Sequence, residues 1–195
     1  MKWTVISPAQ WLENEKELYA FLFSLGIDFI RIRKPNHRAC DMNNFLTTIP
    51  KEIHHKCIVH HPECNMDPFP NIGIHRSQPQ PNDLNNGRIL SSNLHFIHEL
   101  SKVTACDQVL VSPIFDSISK TNYHSQWNAS TLSFIKEHNQ IDWIALGGIA
   151  IGREQELLDM GFKHAALMGA LWSNTIIGKD IHYGELKLRL KDILS

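Results

Sequence analysis

The sequence lacks the features that mark secreted, membrane-spanning and nucleic-acid-binding proteins. No apolar run approaches the ~18 residues of a membrane span, and the opening MKWTVISPAQ has no signal-peptide pattern. The four cysteines form no CxxC pair, so neither a disulfide framework nor a redox motif is indicated. Lys and Arg number 19 against 20 Asp and Glu, so no broad positive field attracts nucleic acid or an anionic membrane. We therefore expect a cytoplasmic protein that acts on small molecules, without a nucleic-acid or membrane partner; whether it forms a homo-oligomer stays open.

What the sequence does contain is a regular series of short apolar runs rich in β-forming residues. These eight runs are WTVISP from Trp3, DFIRIRK from Asp28, KCIVHH from Lys56, NIGIHR from Asn71, GRILSS from Gly87, DQVLVSPIF from Asp107, DWIALGGI from Asp142 and HAALMGAL from His164. Strands that alternate with helical connections predict parallel pairing. Their number and even distribution predict an α/β fold, a closed (β/α)8 TIM barrel, and favour it over an open doubly wound sheet.

The connections between the runs predict how such a barrel fits into 195 residues, when about 250 are typical. Helical periodicity covers Ala9–Leu25, Ile151–Met160 and Tyr183–Leu194. By contrast, His61–Pro70 and Ser77–Gly87, after the third and fourth strands, are too short and too rich in proline for full helices. No linker interrupts the series, so we expect residues 1–195 to form a single barrel domain with shortened connections at these two places.

Polar residues and glycines collect where the predicted strands end, which is the active-site end of a parallel barrel. They are Arg33, Lys34, His60, His61, His75, Asn93, Ser112, Ser117, Ser119, Lys120, Gly147, Gly148 and Gly169, and the apolar Met168 stands directly before the last glycine. Cations and hydroxyls donate to anionic oxygens, and glycines let the backbone approach a phosphate. The set predicts a phosphorylated small-molecule ligand. Tight turns at the glycines, an exposed Ser-Lys loop and local hydrogen bonding by the histidines remain the alternative interpretations.

Several of these segments match the motifs of one enzyme family. SPIFDSISK resembles the G-P-I-F-x-T-x-T-K motif of thiamine phosphate synthases, with Ser117 and Ser119 at the threonine positions and Lys120 at the lysine. RIRK resembles the Q-L-R-x-K region, matched at Arg33, and SSNLHFIHEL resembles S-x-H-x-x-x-E, with Asn93 replacing the serine. IALGGI resembles the phosphate-binding I-G-G-I segment. In order and spacing the matches cover almost the whole chain, which is thus similar to the thiamine phosphate synthase and thiazole tautomerase family.

The resemblance implies a transferase of thiamine biosynthesis. Thiazole phosphate would bind near Gly147–Gly148, Met168–Gly169 and Ser117–Ser119, while Arg33 and Lys120 would meet the pyrophosphate of hydroxymethylpyrimidine pyrophosphate. In the family reaction the thiazole nitrogen attacks the pyrimidine methylene carbon as pyrophosphate leaves. Arginine, lysine and Mg²⁺ neutralise the charge that grows on the leaving group.

The chain departs from the family at the positions that would hold Mg²⁺. His61 and Gln80 stand where the family has aspartates, and imidazole and amide groups are poor ligands for this hard ion. Mg²⁺ is thus the implied cofactor, with its usual ligands replaced. The related tautomerase needs no pyrophosphate chemistry, and its acid/base histidine replaces the proline that this chain keeps as Pro113. His60, His61 or His75 would then supply the proton-transferring group. A transferase, an isomerase and a non-catalytic binder of thiazole or thiamine phosphate all stay open.

A second pattern, Cys57-x2-His60-His61-x2-Cys64, contains residue types that bind zinc. Its two histidines follow a predicted strand, and neighbouring residues of an extended segment point to opposite faces. Four ligands do not readily converge from such a segment, so we predict that this pattern is not a zinc site.

Overall fold

The computed structural model describes residues 1–61, 63–83, 87–116, 125, 127–128, 131–150, 152–173 and 175–194. Its centre is a closed barrel of eight parallel strands that follow one another in chain order. They are β1 (Lys2–Ile6), β2 (Phe29–Ile32), β3 (Cys57–Val59), β4 (Gly73–His75), β5 (Leu90–Leu94), β6 (Gln108–Val111), β7 (Asp142–Ala145) and β8 (His164–Leu167). Every strand overlaps one of the apolar runs, and β1 pairs with β8 to close the ring. The predicted barrel is confirmed.

Helices cover the outside of this barrel. They are α1 (Glu15–Ser24), α2 (Ala39–Thr48), α3 (Phe134–Glu137), α4 (Glu154–Asp159), α5 (Gly169–Trp172) and α6 (Tyr183–Leu194). A short antiparallel pair, β9 (Ile176–Ile177) and β10 (Asp180–Ile181), precedes α6. Within the described ranges, no helix is both long enough and apolar enough to cross a membrane.

The first helix is shorter than its sequence pattern predicts. It begins at Glu15 rather than at Ala9, because the preceding residues are held as a loop by hydrogen bonds. The Glu15 carboxylate accepts from the backbone N–H of Leu12 at 3.2 Å, and buried Lys34 donates to the carbonyl of Pro8 at 2.8 Å. The helix predicted over Ile151–Met160 begins at Glu154, and Ile151 itself lies outside the described residues.

The predicted shortening of two connections is confirmed. In the described part of His61–Pro70 and Ser77–Gly87 there is no α-helix, and Pro81–Asp83 forms one 3₁₀ turn. A third connection is also short, since the chain between β5 and β6 carries a 3₁₀ helix at Ile97–Lys102. The sequence analysis did not single out this third place.

The core has two parts because strand residues alternate between the two sides of the barrel wall. Residues that face outwards, such as Val5, Ile30 and Val109, are fully buried within the main apolar cluster, as are residues of α1 and α6. A smaller apolar cluster is separate from it and consists of Ile6, Leu110, Ile144 and Ala166. Buried polar residues share the barrel interior with this second cluster, and they lie below the candidate site.

Candidate functional site

The closed barrel brings the carboxyl ends of its strands to one rim, which we call the mouth. Arg33 follows β2, His60 follows β3, His75 ends β4, Asn93 lies in β5 and Ser112 follows β6. The strands that carry them are neighbours in the ring. The structure therefore gathers predicted site residues that are up to 79 positions apart in the sequence, from 33 to 112.

Two histidines of the mouth form a stacked pair. The register pairs Val59 of β3 with Ile74 of β4, so the next residues along the strands, His60 and His75, stand side by side. Their rings are 3.8 Å apart between centroids and 3° from parallel. His75 is 7% exposed and His60 is half-buried.

Both rings are neutral at neutral pH. Burial, together with the charges of Arg31 and Arg33, lowers the pKa of His75 to about 3. Burial also holds the pKa of His60 well below its usual range, with additional contributions from His75, Arg31 and Arg33. The same positive charges that disfavour imidazolium attract an anion, so the mouth is suited to negatively charged ligands.

The depressed pKa of His75 predicts a loss of stability in acid. In the unfolded chain a histidine binds a proton below about pH 6.5, whereas folded His75 stays neutral down to about pH 3. Stability is therefore retained above pH 6.5 and declines as the pH falls from there towards 3. Between pH 7 and pH 4.5 we expect wild type to lose about 2–3 kcal/mol more than His75→Phe. Urea denaturation at both pH values measures this difference. Between pH 7 and pH 8 the two proteins should change alike, and equal acid losses in both would contradict the assignment.

Arg33 places a cation at the mouth. Its side chain is half-buried, and its guanidinium has no hydrogen-bond partner among the described residues. Its backbone N–H donates to the hydroxyl of Ser7 at 3.0 Å, which anchors the main chain at this point. Its charge lies near enough to His60 and His75 to lower the pKa of both.

The geometry argues against the prediction that Lys34 binds substrate. Lys34 is 1% exposed, and its ammonium lies 2.7 Å from a carboxylate oxygen of Glu15. It also donates to the carbonyls of Pro8 and Gln10, both at 2.8 Å. These contacts use all three N–H groups of the ammonium. Successive residues point to opposite sides of an extended segment, so Lys34 faces the loop before α1, away from the mouth.

His61 is likewise turned away from His60. Its Nε2 hydrogen-bonds with the carbonyl oxygen of His37 at 2.9 Å, and its Nδ1 is buried with no partner among the residues described. The thiol of Cys64 donates to the side-chain oxygen of Asn43. Two members of the zinc-like pattern, His61 and Cys64, are thus engaged with other groups. Among the described residues there is no group of three or more His, Cys, Asp and Glu side chains that could hold a metal.

The residues at the family's Mg²⁺ positions do not fit that ion. His61 is engaged with a backbone carbonyl, and Gln80 is exposed. The backbone N–H of Gln80 donates to Asp83 at 2.9 Å, while Asp83 is paired with Arg76 at 3.1 Å. An imidazole and an amide at these places do not supply the oxygen ligands that Mg²⁺ prefers.

Ser112 and Asn93 occupy the side of the mouth formed by β5 and β6. Ser112 is 7% exposed, and both its hydroxyl and its carbonyl oxygen lie near Nδ1 of His95, at 3.2 and 3.1 Å. Asn93 is half-buried, and no partner of its side-chain amide is found in the described part of the chain. Its amide can therefore donate to and accept from a ligand.

Gly147 and Gly148 are required by the packing of the protein itself. Both have positive φ, +91° and +66°. A Cβ on Gly148 would lie 2.6 Å from Cβ of Phe115 and 2.7 Å from the carbonyl oxygen of Asp116. The backbone N–H of Phe115 donates to the carbonyl of Gly147 at 3.1 Å. The tight-turn interpretation thus has a physical basis here, and ligand binding by these two glycines stays a prediction.

Gly169 differs from them because no packing contact demands a glycine. It follows β8 at the start of α5, and a Cβ added there would meet nothing within 4 Å. Its neighbour Met168 is 38% exposed. The space next to Gly169 is open, so a phosphate can approach this backbone.

Three predicted residues, Ser117, Ser119 and Lys120, lie outside the described residues, and their roles stay predictions. The sequence analysis missed Arg31 and Ser91, which contact the stacked histidines from inside the barrel. Strand periodicity could have identified Arg31, because it precedes Arg33 by two positions and therefore faces the same side of the strand.

Comparison with known proteins agrees with the motifs. The model of a family described as thiamine monophosphate synthase matches residues 84–171. Two thiamine-phosphate synthases of Prochlorococcus marinus, from strains MIT 9303 and MIT 9313, are 28% identical over an alignment of 113 residues. The match covers 52% of this chain and 31% of each relative. The chain thus spans about a third of the length of the curated relatives it matches.

Solved structures extend the likeness to the whole chain. Thiamine phosphate pyrophosphorylase from Bacteroides thetaiotaomicron has a TM-score of 0.78 and 27% identity, covering 100% of this chain and 96% of that one. The enzyme of the same name from Pyrococcus furiosus shares the fold. It has a TM-score of 0.66 and 18% identity, covering 100% of this chain and 97% of that one. Motifs, barrel and relatives agree, and together they support the thiamine monophosphate synthase family as the one that this chain resembles.

Proposed function

We propose that the chain is a transferase that joins hydroxymethylpyrimidine pyrophosphate to thiazole phosphate and releases pyrophosphate. The observation that carries the proposal is the half-buried guanidinium of Arg33, which has no partner within the described ranges and lies beside two neutral histidines. An unpaired cation in a partly desolvated site recognises a diphosphate, because guanidinium and phosphate oxygens form bidentate hydrogen bonds. The relatives named thiamine-phosphate synthase support the same reaction.

In this reaction the protein contributes position and charge rather than a nucleophile. Arg33, together with Lys120, would hold the pyrophosphate and stabilise the negative charge that accumulates as the bond to the methylene carbon breaks. The backbone at Gly148 and Gly169 would receive the phosphate of the thiazole. Because His61 and Gln80 do not fit Mg²⁺, no step of the proposal passes through a metal held at those positions.

The stacked histidines favour a second candidate, the thiazole tautomerase. A tautomerase moves a proton within the thiazole carboxylate phosphate, and His60 and His75 lie where such a ligand would enter. Their pKa values are lowered partly by Arg31 and Arg33. An anionic ligand would offset these charges and raise the pKa of both rings towards the range useful for proton transfer.

The deciding experiment is an assay of the purified protein with each substrate set. Formation of thiamine phosphate, measured with Mg²⁺, with Mn²⁺ and with a chelator, would support the transferase, whereas isomerised thiazole would support the tautomerase. A transferase should lose more turnover at saturating substrate in Lys120→Ala than in His75→Ala; a tautomerase should show the reverse. His61→Ala is the matched control, since His61 faces away from the mouth. If neither product forms with any metal, both enzymatic functions are excluded and the non-catalytic binder of thiazole or thiamine phosphate remains.

Gly169→Ala should separate phosphate binding from folding. The added methyl meets no protein atom within 4 Å, so stability should stay the same or rise by up to about 1 kcal/mol, as for other helical glycines. A phosphate seated on this backbone would collide with the methyl, and we expect affinity for thiazole phosphate to fall about tenfold or more. Calorimetry measures the affinity. Gly184→Ala, at the start of α6 and equally uncrowded, is the control; unchanged affinity in both variants would remove Gly169 from the site.

A further inference from the structure

A buried arginine, Arg31, lies inside the barrel next to the stacked histidines. It is 0% exposed, and its two terminal nitrogens donate to the hydroxyl of Ser91 and to the side-chain oxygen of Gln108, both at 2.7 Å. Ser91 and Gln108 are themselves register partners across β5 and β6. Burial lowers the pKa of Arg31 to about 9, with Asp142 opposing the change, so the guanidinium is charged at neutral pH.

The contact between Arg31 and His60 determines which nitrogen of His60 carries the proton. The Arg31 nitrogen that donates to Ser91 also lies 3.4 Å from Nε2 of His60. Arginine has N–H donors and no acceptor. Two N–H groups cannot hydrogen-bond to each other, so Nε2 of His60 must be unprotonated. His60 therefore carries its proton on Nδ1.

Ser91 accepts a hydrogen bond from Arg31 and in turn donates one to His75. Its hydroxyl oxygen accepts from Arg31 and lies 3.3 Å from Nδ1 of His75. Ser91 is 0% exposed, and its hydroxyl proton has no other acceptor among the described residues. A buried donor without an acceptor is costly, so the hydroxyl donates to Nδ1 of His75. His75 therefore carries its proton on Nε2.

We infer that Arg31 is a positioning residue that holds His60 and His75 in opposite neutral tautomers, so that the pair offers two N–H donors to an oxyanion beside Arg33. The nitrogens in question, Nδ1 of His60 and Nε2 of His75, have no partner in the described ranges. Two N–H groups and a neighbouring guanidinium recognise phosphate or carboxylate oxygens. The inference refines the proposed function and rests on it for the natural ligand, whereas the tautomers follow from contacts within the protein.

Nuclear magnetic resonance of protein labelled with ¹⁵N-histidine tests the tautomers directly. Long-range ¹H–¹⁵N correlations at pH 7 show which nitrogen of each ring is protonated. We expect a protonated Nδ1 in His60 and a protonated Nε2 in His75. A protonated Nε2 in His60, or a doubly protonated ring in either residue, would overturn the inference.

Variants of two adjacent serines provide a matched comparison. Ser91→Ala removes the donor to His75 and should let this ring exchange between tautomers, while Arg31 still holds His60. Ser92→Ala is the control, because Ser92 is equally buried but donates to the carbonyl of Arg76 at 2.7 Å. It should leave both rings unchanged. Arg31→Met should release both rings, and Ser91→Ala keeps the test decisive if Arg31→Met fails to fold. Identical spectra for the two serine variants would contradict the donation from Ser91 to His75.

Titration with inorganic phosphate and with inorganic pyrophosphate tests the oxyanion. Either anion should shift the Nδ1–H signal of His60 and the Nε2–H signal of His75, and Ser91→Ala should weaken its binding about tenfold. Shifts with one anion and not the other would show which group the pair receives. Binding that moves neither signal would overturn this part of the inference. Correct tautomers and anion shifts in a protein without turnover would instead count against the proposed reaction alone.

Discussion

Arg33→Gln is expected to reduce turnover about 10²-fold or more, whichever of the two reactions the wild type performs. The substitution removes the guanidinium of Arg33, which has no partner in the described part of the chain, and keeps a polar side chain at this position. Its backbone anchor, the N–H that donates to Ser7, is unaffected, so the fold should persist. Affinity for pyrophosphate, measured by calorimetry, should fall together with activity.

Two further arginine variants make this test specific. Arg33→Lys keeps the charge but not the planar fork that matches phosphate oxygens, so its activity should lie between wild type and Arg33→Gln. Arg38→Gln is the control, because Arg38 belongs to the same connection but is exposed and paired with Asp41 at 2.8 Å. Full activity in Arg33→Gln would show that the guanidinium of Arg33 is not needed, and the main support for the proposed function would be lost.

Lys34→Met is expected to destabilise the fold by about 3–5 kcal/mol, the usual cost of breaking a buried ion pair from one side. Lys34 and Glu15 are both almost inaccessible, with side chains 0% and 1% exposed. Removing the ammonium leaves the Glu15 carboxylate buried, with hydrogen bonds from the hydroxyl of Tyr19 and the backbone of Leu12 as its remaining contacts. Urea denaturation measures the change, and pyrophosphate affinity of the folded fraction should stay close to that of wild type.

The double variant Lys34→Met/Glu15→Gln should recover part of this loss, because it leaves no unpaired charge in the interior. Lys16→Met is the surface control, since the Lys16–Glu17 pair is 51% exposed on both sides and should contribute little. A Lys34→Met protein of normal stability but reduced pyrophosphate affinity would restore Lys34 to the binding site and refute the structural role.

The order and approximate bounds of the barrel strands follow from the sequence by itself. Apolar β-rich runs separated by turns and helical segments leave few other arrangements, because parallel strands must be joined by crossover connections. Arg33, His60 and His75 were placed at strand ends by the same logic. Their common rim is a consequence of closure, so recognising the barrel was enough to group them.

Tertiary structure alone decided which of these residues are open to the mouth and which are covered. Arg33 and Lys34 are adjacent cations that local sequence does not distinguish, yet the loop before α1 folds over Lys34, while the guanidinium of Arg33 has no hydrogen-bond partner among the residues that the structure describes. Local periodicity shows that they point to opposite sides; it does not show what covers each side. What covers each side depends on contacts between residues that are separated by 24 and 26 positions in the sequence. A short stretch of sequence does not include both partners of such a contact.

The pairing of His60 with His75 and the role of Arg31 depend on still longer separations. Arg31 contacts Ser91 and Gln108, which are 60 and 77 positions away. A buried arginine is costly unless its donors find acceptors, and sequence gives no sign of where those acceptors lie. The sequence by itself thus determined the barrel and which residues meet at its rim. Closure of the barrel decided the partners of Arg31 and the stacking of His60 on His75, because contacts across the interior join strands that are distant in the chain.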